Sequence, residues 1–188
     1  QTKYMSEQII QDVSAATKIK ASLLRYFNPV GAHKSAKIGE LPIGVPNNLV
    51  PFITQTAMGL RKELSVFGKD YPTSDGTAIR DYIHVFDLAK AHVVALKRLL
   101  NKENSEKVET FNLGTGKGSS VLEVINTFEK VSKQKLNYKI VDRRAGDVEI
   151  VYADTTFANN ELGWKAKKTF LRCTSRMGEG FRTRIASG

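Results

Sequence analysis

At 188 residues and 41% hydrophobic content, with no apolar run near the roughly 20 residues of a membrane span, the chain reads as one soluble domain, or one and a fraction. A net charge of +10 does not point to nucleic acid, because Lys165, Lys167, Lys168, Arg172, Arg176, Arg182 and Arg184 crowd the C-terminus against Glu179 alone, and no basic-aromatic stripe appears elsewhere. The single Cys173 excludes an internal disulfide and fits a reducing, cytoplasmic setting, while His33, His84 and His92 are too scattered to hold a metal.

The chain opens on Gln1 without a signal-peptide pattern, so it is expected to begin inside a longer protein. Met5, Ile9, Ile10 and Val13 recur at helical spacing and predict a helix over 4–18. Leu23, Leu24, Tyr26, Phe27 and Val30 form an apolar run suited to a strand buried on both faces of a parallel sheet. Asn28-Pro29 and Gly31 break it, leaving an amide at the C-terminal end of a strand, where open α/β sheets bind ligands. After Pro46, a second amide pair, Asn47-Asn48, precedes a helix over 49–60.

Leu64 to Phe67 reads as a short strand, 70–76 as a turn, 80–85 as a strand, and 86–100 as an amphipathic helix. The charged segment 101–107 is expected to divide two parts, 1–100 and 101–169. A strand over 110–113 leads into GTGKGSS. Its G-x-G-x-G spacing differs from the dinucleotide fingerprint, so a tight turn with Ser119 or Ser120 capping the next helix, 121–131, is expected. A strand over 136–141, an extended piece over 148–152 and a helix over 154–162 complete the pattern. Residues 170–188 have no sustained period and are expected to be a non-native tail.

Four motifs carry a resemblance. RYFNPVGAH at 25–33, GVPNNLVPF at 44–52, the long run from Phe67 to His92 and RRAGD at 143–147 resemble the UDP-glucose 4-epimerase family of extended short-chain dehydrogenases/reductases. The resemblance covers roughly 1–164 and implies an α/β fold: the C-terminal part of a doubly wound, Rossmann-like dinucleotide-binding fold plus a smaller mixed substrate domain. It implies NAD as cofactor, a UDP-hexose as substrate, a homodimeric parent, and neither nucleic acid nor membrane as partner. The implied reaction is the interconversion of UDP-glucose and UDP-galactose through transient oxidation at C4. Another nucleotide-sugar enzyme of the superfamily, or a catalytically dead UDP-binding module, stays open as an alternative.

The resemblance also implies roles. Lys3 matches the lysine of a YxxxK pair, which assists the catalytic tyrosine and binds the cofactor's ribose; that tyrosine would stand at position −1. Arg80 and Arg144 would grip the diphosphate, a task for which a planar guanidinium fork is suited. Asp147 would accept hydrogen bonds from the nucleotide's ribose, and Phe67 would lie against uracil. Asn28, Asn48 and Leu49 would contact the diphosphate-sugar region, with Phe27 toward the cofactor and Tyr26 toward the sugar. Val151 would face the hexose and set how much bulk fits at its C2. Without the tyrosine and a glycine-rich cofactor loop, residues 1–188 alone are expected to be inactive.

Overall fold

A computed structural model describes residues 1–33, 35, 38–40 and 42–168; the tail expected over 170–188 lies outside these. In chain order the elements are α1 (Thr2–Ala16), β1 (Ala21–Tyr26), β2 (Asn28–Val30), α2 (Leu49–Ala57), β3 (Leu64–Phe67), β4 (Ile79–Arg80) and β5 (Tyr82–His84). They continue with α3 (Val85–Leu100), β6 (Val108–Leu113), β7 (Ser119–Ser120), α4 (Val121–Ser132), β8 (Tyr138–Val141), β9 (Ile150–Val151) and α5 (Thr156–Leu162).

The pairing is mostly parallel, as expected of an α/β chain in which helices connect the strands. Strand β1 pairs with β6, with Tyr26 opposite Leu113. Strand β2 pairs with β5, with Asn28 opposite Tyr82, and β3 pairs with β8, with Phe67 opposite Val141. Strand β4 is central to a small mixed sheet, antiparallel to β7 and parallel to β9.

Two expectations need correction. The run over 23–30 is not one strand buried on both faces. Phe27 still donates its N–H to Leu113, but Asn28 donates to Asp81, so the chain changes partner strand between them. Within β1 only Leu23 is buried, and Tyr26 is half exposed. The strand over 80–85 is likewise split, because the fully buried Asp81 turns inward between β4 and β5.

Local chemistry sets the helix ends. Ser120 and Glu123 form a capping box at the start of α4. The His84 ring accepts the Phe86 N–H at the start of α3, where Asp87 also meets the positive end of the helix dipole, with Lys97 and Arg98 at the other end.

Two apolar clusters form the core. One gathers Val30, Ile53, Val66, Val124, Ile125 and Phe128, and the other Ile83, Ala91, Phe111, Leu113, Leu162 and Trp164. Each draws residues from both sides of the 101–107 turn.

A buried ion pair ties the second cluster together. Arg98 on α3 meets the Glu109 carboxylate on β6 through two hydrogen bonds of 2.8 Å, and its Nη1 and Nη2 also reach the carbonyl and carboxylate of Glu161 on α5. Ser105 adds its N–H and hydroxyl to Glu109. The Arg98 hydrogen bonds hold the Glu109 carboxyl below its ordinary value of 4.5, against the upward push of burial. A depressed carboxyl stabilises the fold above its unfolded value, and that contribution is lost as pH falls through the folded value. Arg98→Ala is expected to cost about 3 kcal/mol, the low end for a broken buried pair, because Ser105 still serves Glu109. Denaturant titration at pH 7 should show this loss, and the gap between wild type and variant should narrow well below pH 4.5.

Candidate functional site

Seven of the eleven sequence-predicted residues converge on a cleft of about 440 Å³ between the start of β2, the 45–48 segment, β3, β4 and the turn after β8. Its geometry follows from strand alternation and one tight turn.

In β3 the alternation buries Leu64 and Val66 and turns Ser65 and Phe67 outward. Phe67 is therefore not a core residue: its ring is 40% exposed at the cleft. In the next sheet, Asp81 faces inward while Arg80 faces the cleft, so these neighbours do not pair with each other. Arg80 Nη1 donates to the carbonyl of Ile79, and Nη2 lies 3.6 Å from Asp147.

The turn Arg144-Ala145-Gly146-Asp147 brings the second arginine to the same carboxylate. Asp147 donates its N–H to the Arg144 carbonyl, and Gly146 takes φ +81°, the left-handed value that the third position of a type II turn requires. Arg144 Nη2 then donates to Asp147 Oδ1 at 2.9 Å, and its guanidinium lies 5.6 Å from the centre of the Phe67 ring. The hydrogen bond and charge of Asp147 push the Arg144 guanidinium further up, so it stays cationic. Two guanidinium groups on one carboxylate leave a net positive charge beside an exposed aromatic face. Such a site attracts an anion that carries a flat ring.

Amides close the opposite wall. Asn28 opens β2 at the cleft, and Asn48 is the N-cap residue of α2. Its side chain does not cap the helix; Nδ2 reaches Glu40 Oε1 at 3.4 Å. Leu49, half-buried, begins the helix beside it.

The cleft thus brings together Asn28, Asn48, Leu49, Phe67, Arg80, Arg144 and Asp147. It does not include Lys3, Tyr26, Phe27 or Val151. Lys3 is exposed in the first turn of α1. The Tyr26 ring lies 6.4 Å from the His92 ring, outside the cleft. Val151 sits on β9 in register with Arg80, one strand away.

Tyr82 was missed by sequence reasoning, although a signal for it existed: two positions beyond Arg80 in an extended run, it shares Arg80's face. It is buried in the cleft wall, and burial pushes its phenol up to about 12, against the charge of Arg80, so it stays neutral. Val30, Ala78 and Val121 also line the cleft, but as small apolar residues they read as core in any sequence.

GTGKGSS is the structural turn expected of it. The N–H groups of Thr115 and Gly116, which a phosphate-binding loop would offer to a ligand, are donated to Asp81 at 2.9–3.0 Å, and Ser120 caps α4.

Over 169 residues the chain is 54% identical to UDP-glucose 4-epimerase of Bacillus subtilis, covering 89% of this chain and 49% of that protein. It is 56% identical over 167 residues to the bifunctional UDP-glucose 4-epimerase and UDP-xylose 4-epimerase 3 of Arabidopsis thaliana, covering 88% and 47%. The chain therefore spans about half the length of the curated relatives it matches. Its fold matches the crystal structure of UDP-glucose-4-epimerase from Stenotrophomonas maltophila with bound NAD and formylated UDP-arabinopyranose, with TM-score 0.94 and 47% identity over 100% of this chain and 55% of that one. The enzyme from Bifidobacterium longum in complex with NAD+ and UDP gives 0.89 and 46%, over 98% and 54%. The fold is accordingly α/β and Rossmann-like, as in those epimerases. The family model described as GDP-mannose 4,6 dehydratase matches residues 1–177, and the chain belongs to that family.

Proposed function

We propose that the chain supplies the UDP-hexose-binding part of an NAD-dependent enzyme that interconverts UDP-glucose and UDP-galactose. The observation that carries this reading is the convergence of Arg80 and Arg144 on Asp147 beside the Phe67 ring. A diphosphate offers each guanidinium a pair of oxygens, and a ribose offers hydroxyl donors to the carboxylate. Uracil stacks on Phe67, with the backbone of Ser65 to Phe67 at its edge. Asn28 and Asn48 hold the diphosphate-sugar region from the opposite wall, with Leu49 beside them. The similar UDP-glucose 4-epimerases, among them the Bifidobacterium longum enzyme crystallised with NAD+ and UDP, support the assignment.

The chemistry divides accordingly. Fixing the diphosphate leaves the hexose free to turn about its link to phosphate, which an exchange of C4 stereochemistry requires. NAD would accept and return the C4 hydride in the parent. The neighbours from Stenotrophomonas maltophila and Bifidobacterium longum carry NAD, which supports that cofactor; the glycine-rich loop after β6 is not its cradle, because its Thr115 and Gly116 N–H groups are donated to Asp81. In the parent, Lys3 would assist a tyrosine four residues earlier and hold the cofactor's ribose, with Phe27 and Tyr26 on the cofactor and sugar side. The parent is proposed to be a cytoplasmic homodimer. Support for self-association comes from Met5, Ile9 and Val13, four residues apart on α1 and all exposed. Among the described residues no helix is long and apolar enough to cross a membrane.

Three outcomes test the reading. Arg144→Ala and Arg80→Ala should each weaken UDP binding by about 1.5–3 kcal/mol, the range for hydrogen bonds to a charged group. Unchanged calorimetric affinity in both variants would place the diphosphate elsewhere. Purified 1–188 should give no turnover of UDP-galactose in a coupled assay, whereas measurable epimerisation would show that these residues suffice. Val151 is proposed to gate the hexose C2 substituent. In the parent enzyme, Val151→Tyr should lower the specificity constant for UDP-N-acetylglucosamine relative to UDP-glucose, since overpacking costs about 1–3 kcal/mol. An unmoved ratio removes Val151 from that role.

A further inference from the structure

The cleft wall formed by residues 42–48 has an unusual attachment. Ile43 and Val45 are strongly exposed, Asn47 and Asn48 are exposed, and Pro46 alone is buried. This strap nevertheless contributes Val45, Pro46, Asn47 and Asn48 to the cleft. Arg61, in the segment between α2 and β3, reaches across to it. Its Nη2 donates to the Gly44 carbonyl at 3.1 Å, while its Nε donates to Oε1 of the buried Gln55 at 2.6 Å. Its guanidinium also lies 5.0 Å from the centre of the Phe52 ring, a cleft residue on α2.

We propose that Arg61 is the positioning residue of this wall: it latches the 42–48 strap to α2 and so sets where Asn48 meets a bound UDP-hexose. The inference rests on the reading of the cleft as a UDP-sugar site, and it adds a residue that does not touch the ligand. Only a guanidinium fits the task, because a planar fork can serve Gln55 and Gly44 at once while its face rests on Phe52. The geometry also explains why the Asn48 side chain can leave its helix uncapped. The strap is held at Gly44 and Pro46, so Asn48 lines the cleft with its Nδ2 turned to Glu40 rather than to the helix.

The test is a double-mutant cycle in the 188-residue chain. UDP affinity is measured by calorimetry for wild type, Arg61→Ala, Asn48→Ala and the double variant. Hydrogen exchange of the Ile43–Val45 and Asn47–Asn48 amides is followed without ligand. Arg61→Ala should weaken UDP about tenfold. The double variant should bind no more weakly than the worse single one, because an unlatched Asn48 has nothing left to lose. Exchange should accelerate in the strap and stay unchanged in β3 and α4. An Arg61→Ala chain that binds UDP like wild type, or losses that add, would overturn the proposal. A purely structural role would lower stability and leave the affinity of the folded chain alone. If wild type itself does not bind UDP, the reading of the cleft fails, and exchange still decides the latch: unchanged strap amides overturn it, faster ones uphold it. Should Arg61→Ala not fold, Arg61→Lys is read the same way, since an ammonium cannot bridge the two acceptors.

Discussion

The arrangement depends on a carboxylate that water does not reach. Asp81 is fully buried, and its partners are the N–H groups of Thr115, Gly116 and Ala153 and the Thr115 hydroxyl, with no cation among the partners found in the described residues. An isolated buried charge is costly, and a full set of hydrogen bonds is what makes it tolerable. The consequence is topological. Three separate segments, β4–β5, the loop after β6 and the strand ending at Val151, are drawn to one point. Gly114 allows this approach: a Cβ there would stand 2.4 Å from Asp81 Oδ2 and 2.5 Å from the Ala153 methyl. With Asp81 facing inward, Arg80 must face outward, and the cleft receives its first cation.

Two ion-pair systems in the chain show how burial changes the use of one chemistry. Arg98 and Glu109 are buried together, satisfied on most sides, and hold α3 to β6 and α5. Breaking such a pair strands a charge. Arg144 and Asp147 sit at a rim where the arginine side chain is 59% exposed. Exposed pairs contribute only about 0–1 kcal/mol. On the proposed reading, an incoming diphosphate, with two charges and several oxygens, would outcompete a single carboxylate for those donors. The weak pair keeps the arginines oriented without holding them too firmly to be taken over.

Part of this was legible in the sequence wherever a local rule governs. The cap on α4, expected at Ser119 or Ser120, is Ser120, whereas Arg144, Asp147 and Phe67 were singled out by the motifs of the resembled family; the RAGD turn and the alternation in β3 are the local chemistry that brings them to one cleft. The amides at Asn28 and Asn48 followed from strand-end and helix-start signals. What was not legible depended on distant partners. The break at Phe27 exists because Asn28 finds Asp81 after Phe27 has found Leu113. The Arg61 bridge to Gly44 and Gln55 joins residues with no spacing rule between them. The outward stripe on α1 looked the same as an inward one, since period alone does not say what lies opposite.

Strand β1 is hydrogen-bonded along one side to β6, and among the described residues no strand lies on its other side. Its sequence, ASLLRY, is apolar for most of its length. An open strand edge of this kind is a template for further strands, and the device that blunts it here is a single charge, Arg25, held by Glu7 of α1. Handling of the isolated polypeptide therefore turns on that arginine. Acidification that protonates Glu7, or salt that screens it, is expected to loosen the guard on the edge and to promote sheet-mediated clumping whose rate climbs with protein concentration.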